Sequence, residues 1–208
     1  MADATQGTVR KAGSVSQNTI QLNEFGEQLI AGGLPPYAEL ARKGRGWGTM
    51  STSAVAGLVV RPSTVAAFEI FNGNALGSYS LIIDRLFYFN LVSTNVIEGF
   101  SGWAQVTTVK TAPANGSFVV RGNTGKPYGG SVIAAAGTTV IDSGWFPWTA
   151  AYNKGAGGVV PFGAVMANVE GRLIVPPQCS LCLHVVSSLV GQTFTQGAQW
   201  FEEILTLE

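Results

Sequence analysis

The chain has little charge. Aspartate, glutamate, lysine and arginine make up 12% of its 208 residues, against roughly a quarter in ordinary soluble domains. Within residues 111–201 the formal charges are only Arg121, Lys126, Asp142, Lys154, Glu170 and Arg172, too few to solvate an isolated surface of that length. Twelve basic residues balance twelve acidic ones. No net field gathers nucleic acid or holds the chain at an anionic membrane, so neither partner is expected. Apolar runs long enough to span a bilayer are lacking, as is a basic, apolar leader at Met1–Gly7, so synthesis in the cytosol is expected.

Histidine and cysteine are equally scarce. Cys179 and Cys182 form one C-x-x-C, and His184 is the only histidine; a tetrahedral zinc site needs four ligands, so no metal and no cofactor is expected. Residues 180–188 read as a strand, in which positions three apart face opposite sides, so the two thiols should diverge. Packing residues flank His184, which is expected in a core or an interface. A lone histidine also argues against metal-dependent cupin chemistry.

Familiar motifs fail on spacing. Gly44-Arg-Gly-Trp-Gly48 follows a helix instead of preceding one, the reverse of a dinucleotide fingerprint. In Gly122-Asn-Thr-Gly-Lys-Pro127 the first glycine and the final Ser or Thr of a phosphate loop are missing. Gly99-Phe-Ser-Gly102 is one residue short of a nucleophile elbow. The carboxylates Asp142, Glu170, Glu202 and Glu203 could form a glycosidase pair, although exposed strand faces account for them. No catalytic residue is assigned.

What the chain does have is glycine, 27 residues, and β-forming side chains. Residues 1–33 read as a polar extended arm, with Phe25 and Leu29 among a few apolar anchors. Residues 34–46 hold a short helix starting at Leu34-Pro-Pro-Tyr37, followed by a basic, glycine-rich junction with Arg42, Lys43 and Arg45. Residues 47–208 form the β domain. Strands are expected near 47–60, 64–71, 79–92, 102–110, 117–121, 131–142, 158–166, 168–175, 180–188 and 191–204, with a hairpin at Pro113–Gly116. Alternation in the third segment puts Tyr79, Leu81, Ile83, Phe87 and Phe89 on one core face, interrupted by Arg85. The fold class is therefore all-β, a jelly-roll-like antiparallel β-sandwich with an N-terminal arm and one short helix.

Tyr37, Arg42 and Arg45 join Phe25 and Leu29 as candidate partner contacts. The run Gly144-Trp-Phe-Pro-Trp148 adds Trp145 and Trp148, since three rings around a proline are hard to bury in one loop. These rings, with Trp103, also suit a lectin-like alternative in which sugars stack on tryptophan.

The polar arm, the Pro35-Pro-Tyr-Ala-Glu-Leu40 helix ending in Arg42-Lys-Gly-Arg-Gly46, and the glycine-rich β region together resemble small virion proteins of tailed bacteriophages. The stretches Gly171-Arg-Leu-Ile-Val-Pro-Pro-Gln-Cys-Ser-Leu-Cys-Leu-His-Val-Val186 and Gly191-Gln-Thr-Phe-Thr-Gln-Gly-Ala-Gln-Trp-Phe-Glu-Glu203 are similar to the closing strands of their jelly rolls. This resemblance implies a capsid cement or decoration protein, assembled in the host cytoplasm. It would sit as a homotrimer on the capsid exterior, over joints of the major capsid protein.

Overall fold

The computed structural model describes residues 6–10, 17–21, 38–92, 97–108, 112–113, 116, 118–154 and 163–205. The chain divides into two units, Met1–Ala38 and Glu39–Glu208. In the first, β1 (Gln6–Arg10) pairs antiparallel with β2 (Gln17–Gln21). Part of the segment expected as an extended arm is thus paired strand.

Helix α1 (Ala38–Arg42) ends as its sequence dictates, and the expected start at Leu34–Tyr37 lies outside the described residues. Gly44 takes a φ of 72°, a left-handed cap that a side chain would strain, and its N–H donates to Ala41 O at 2.9 Å. There follow β3 (Gly46–Met50), β4 (Val55–Ala56), β5 (Val65–Asn72), β6 (Tyr79–Val92), β7 (Ile97–Thr108) and β8 (Arg121–Gly122). The chain then forms β9 (Val132–Thr139), β10 (Phe146–Lys154), β11 (Gly163–Val175), β12 (Cys179–Ser187) and β13 (Thr193–Ile204).

These strands build two antiparallel sheets packed as a sandwich. One has the order β10-β7-β12-β5-β9, and the other β11-β6-β13-β3-β8. Four pairs nest one inside the next: β7 with β10, β6 with β11, β5 with β12 and β3 with β13. A long antiparallel ribbon wound into two sheets has this pairing, which is the jelly roll. Between the sheets lie Phe68 and Ile70 of β5, Leu181, Leu183 and Val185 of β12, and Phe194, Ala198 and Trp200 of β13. Tyr88 crosses the core, its hydroxyl donating to Trp103 O at 3.1 Å. Gly102 is required beneath it, because a Cβ there would lie 2.4 Å from the Tyr88 ring.

The strand expectations needed three corrections. In β6, Leu81 and Ile83 face the core, but so do Leu86 and Tyr88, while Phe87 and Phe89 turn to the opposite, outer face. Asp84 is the cause: Gln199 pairs with Arg85 and Trp200 with Ile83, leaving Asp84 as the extra residue of a bulge that reverses the alternation. Across the other edge, residues 169–172 of β11 bulge at the same level, with Glu170 and Gly171 at positive φ. Two expected segments, 158–166 and 168–175, are thus one bulged strand where described. Second, β10 was not anticipated at all. It is an edge strand that tolerates Pro147 because a register shift falls between Pro147 and Thr149. Third, the long segment 47–60 yields β3, the short β4 and a bridge at Leu58, and 117–121 yields, where described, a bridge at Phe118 and the start of the two-residue β8. The hairpin at Pro113–Gly116 lies partly outside the described residues.

Candidate functional site: two open sheet faces

The outer face of the five-stranded sheet is covered over part of its area by the chain itself. Residues 140–145 lie across it, where Val140 and Trp145 pack with Ala66 and Cys182. Gln105 Nε2 donates to Ile141 O at 3.0 Å, Ser143 N–H donates to Gln105 Oε1 at 2.8 Å, and Thr107 Oγ donates to Ile141 O at 3.2 Å. Asp142 closes the segment with a two-pronged ion pair to Arg61, at 2.7 and 3.0 Å. That pairing holds the Asp142 carboxyl below its ordinary range. Under this cover Cys182 faces Glu69 on one neighbouring strand and Gln105 on the other, and the Ser180 hydroxyl donates to Glu69.

The buried chemistry-bearing groups are quiescent here. Burial, reinforced by the Glu69 charge, pushes the Cys182 thiol well above its ordinary pKa, so it stays protonated. His184 Nδ1 accepts the Val185 N–H at 2.9 Å, and burial lowers the ring's pKa, so the imidazole is neutral. The two thiols diverge as alternation required: Cys179 packs toward the main core and Cys182 toward the outer cluster.

Beyond the cover no described residue lies over this face. A groove of about 430 Å³ runs along Val59, Phe100, Ala150, Tyr152, Val186 and Ser188, and no charged side chain lines it among the described residues. Tyr152 is 84% exposed. It stands directly opposite Gly99, and a Cβ at that glycine would come within 3.1 Å of the ring, so the ring rests on bare backbone.

A second groove, about 490 Å³, lies on the outer face of the other sheet. The register aligns Met166, Phe87, Gly197 and Met50 across β11, β6, β13 and β3. Phe89 and Val119 extend this apolar line, and Arg121, Asn123 and Gln199 edge it. Arg121 is exposed and has no ion-pair partner among the described residues. Neither groove was located from the sequence. The bulge at Asp84 created one by turning Phe87 and Phe89 outward, and the unanticipated β10 created the other.

A polar clasp closes the end of the sandwich where β3 begins and β13 ends. Glu202 points inward and accepts the Tyr128 hydroxyl at 2.8 Å. The Trp200 and Trp47 indole N–H groups turn toward the same carboxylate without the geometry of full hydrogen bonds. Burial raises the Glu202 pKa, and these donors and the Arg45 charge oppose the rise. Arg45 pairs with Glu203 at 2.9 Å and sits 5.3 Å over the Tyr79 ring.

The candidate contacts separate accordingly. Phe25, Leu29 and Tyr37 lie outside the described residues. Arg42 is exposed, whereas Arg45 is committed to the clasp. Trp145 does not stand free: it is 4% exposed and donates to Ser63 O at 2.8 Å. It belongs to the covering segment, which removes it as a stacking platform. Trp148 is half-buried against the core, with the Arg172 guanidinium 5.4 Å from its ring centroid. Trp103 is also half-buried, its indole donating to Ser101 Oγ at 2.8 Å. Of the four carboxylates considered, Glu202 faces inward and not onto an exposed sheet face, and Asp142 and Glu203 are ion-paired. Among the described residues no three His, Cys, Asp or Glu side chains gather as metal ligands, and no helix is long and apolar enough to cross a membrane.

No protein-family model, curated protein or solved structure matches this chain.

Proposed function

We propose that this chain is a non-enzymatic virion structural protein: a capsid cement or decoration protein that binds the shell of major capsid protein from outside, as a homotrimer. One observation carries the reading. A sandwich with few charges leaves a groove beside Tyr152 that no described charged side chain lines, and interface centres are depleted in charge and enriched in tyrosine and other aromatics. Exposed apolar side chains cluster there and on the Phe87 face, as expected of a protein that hides surface against copies of itself and a shell. Burying such faces contributes about 25 cal/mol per Å² before association costs, so contacts spread over several subunits brace a shell without covalent links. The decisive experiment combines light scattering of the purified chain with the protein inventory of particles from infected cells. A trimer in solution and density outside the shell are expected. A stable monomer at micromolar concentration, or a chain missing from particles, would defeat the assignment.

A carbohydrate-binding reading keeps one specific support. The Tyr152 ring lies open over Gly99 near the Ser101 and Ser188 hydroxyls, the ingredients of a sugar-stacking platform. Glycan-array signals abolished by Tyr152→Ala would favour it over the cement role.

A further inference from the structure

The sheet β11-β6-β13-β3-β8 ends in two edges of opposite charge. At β8, Arg121 bridges to Pro127, which brings Lys126 alongside; both are exposed, and neither has an ion-pair partner among the described residues. The groove floored by Met50, Phe87 and Phe89 lies next to them, with Val119, 63% exposed, at its margin. At β11, Glu170 stands exposed with a φ of 54°, a left-handed conformation that costs energy outside glycine. Glu170 also has no ion-pair partner among the described residues, while its neighbour Arg172 is held by the Asn168 and Val169 carbonyl oxygens. The only other carboxylate within residues 111–201, Asp142, is paired with Arg61. The straight part of β11, Gly163–Asn168, carries neither charge nor proline, the usual guards of a sheet edge, and its Met166 is 60% exposed.

We propose that the β11 edge of one copy docks against the β8 side of the next, where Glu170 meets Arg121 and Lys126 and Met166 enters the groove beside Val119 and Met50. The proposal rests on the trimeric reading above. A second copy is the occupant because each edge supplies the charge that the other lacks, and complementary charge selects the partner and fixes the register. The two edges lie at opposite ends of one sheet, so the contact is head-to-tail. Each copy uses both edges, and three identical contacts close a ring. Because the apolar contact supplies affinity and the charges supply pairing, reversing the charges separates the two.

The test uses the full-length chain with Met166→Cys and Val119→Cys, oxidised and run on a denaturing gel without reductant, beside both single-cysteine variants and the unsubstituted chain. Four strand spacings, about 19 Å, separate β11 from β8, too far for the new thiols to join within one copy. A covalent trimer is expected, and only when both new thiols are present. Adding Arg121→Glu and Lys126→Glu should lower its yield at least about tenfold, a change of about 1.4 kcal/mol. Adding Glu170→Arg to that variant should restore it. Light scattering on the reduced samples reads the oligomer independently. A solution trimer whose links fail to form, stop at dimers, or form equally after charge reversal overturns this contact while leaving the trimeric reading intact. A monomer or a dimer in solution overturns both.

Discussion

Tyr128→Phe tests whether the clasp at the end of the sandwich is held as its geometry implies. The substitution keeps the ring that meets Trp47 edge-on at 4.7 Å and deletes only the hydroxyl. That oxygen donates to Glu202 Oε1 at 2.8 Å and accepts the Val132 N–H at 3.3 Å. Loss of a hydrogen bond to a charged acceptor costs about 1.5–3 kcal/mol, and partial solvent access to the clasp favours the lower half of that range. Taking about 2 kcal/mol, a domain of this size should melt about 4–8 °C lower, as read by circular dichroism or calorimetry. The sign with pH follows from Glu202. Burial raises its folded-state pKa above the unfolded value, so its contribution is fully present below the usual carboxylate range and is lost as pH rises through the folded pKa. The Tyr128 hydroxyl opposes that loss by stabilising the charged form. Its own pKa is raised by burial and by the Glu202 charge, so it does not ionise in this range. The penalty of Tyr128→Phe should therefore be larger near about pH 8 than below about pH 4, and that pH dependence should vanish in a Glu202→Gln background. An unchanged melting temperature, or a penalty equal at both pH values with Glu202 present, would refute this account.

Gly197→Ala should destabilise the domain by about 1–3 kcal/mol, because its Cβ would sit 2.4 Å from Thr49 O and 2.9 Å from Met50 Cα, forcing β3 off β13; an unshifted denaturation midpoint would contradict the pairing. Native Cys182 should resist a thiol reagent that modifies it fully after unfolding, since it is buried beside Glu69 with its pKa raised. Cys179, half-buried and with a thiol pKa also raised by burial, should react slowly and still ahead of Cys182. Equal rates for both in the folded protein would show that they share an environment.

Alternation along one strand is a local property, and whatever depended on it alone was legible in the sequence. The divergence of Cys179 and Cys182, the burial of His184, the glycine stop at Gly44 and the all-β jelly roll needed only period-2 patterning and turn chemistry. The candidate surfaces did not follow from it. Phe87 and Phe89 had the same parity as Leu81 and Ile83, and only pairing with β11 and β13 made Asp84 the extra residue that sends them to the outer face. Trp145 looked like a free ring because the sequence does not show that residues 140–145 fold back over Gln105 and Cys182. β10 was hidden behind Pro147, which is tolerated only because that strand lies at an edge. Glu202 had no visible reason to point inward until Tyr128, Trp47 and Trp200 converged on it from other parts of the chain. Patterning located most of the strands, whereas contacts between segments distant in sequence decided which faces were buried and which were left uncovered among the described residues.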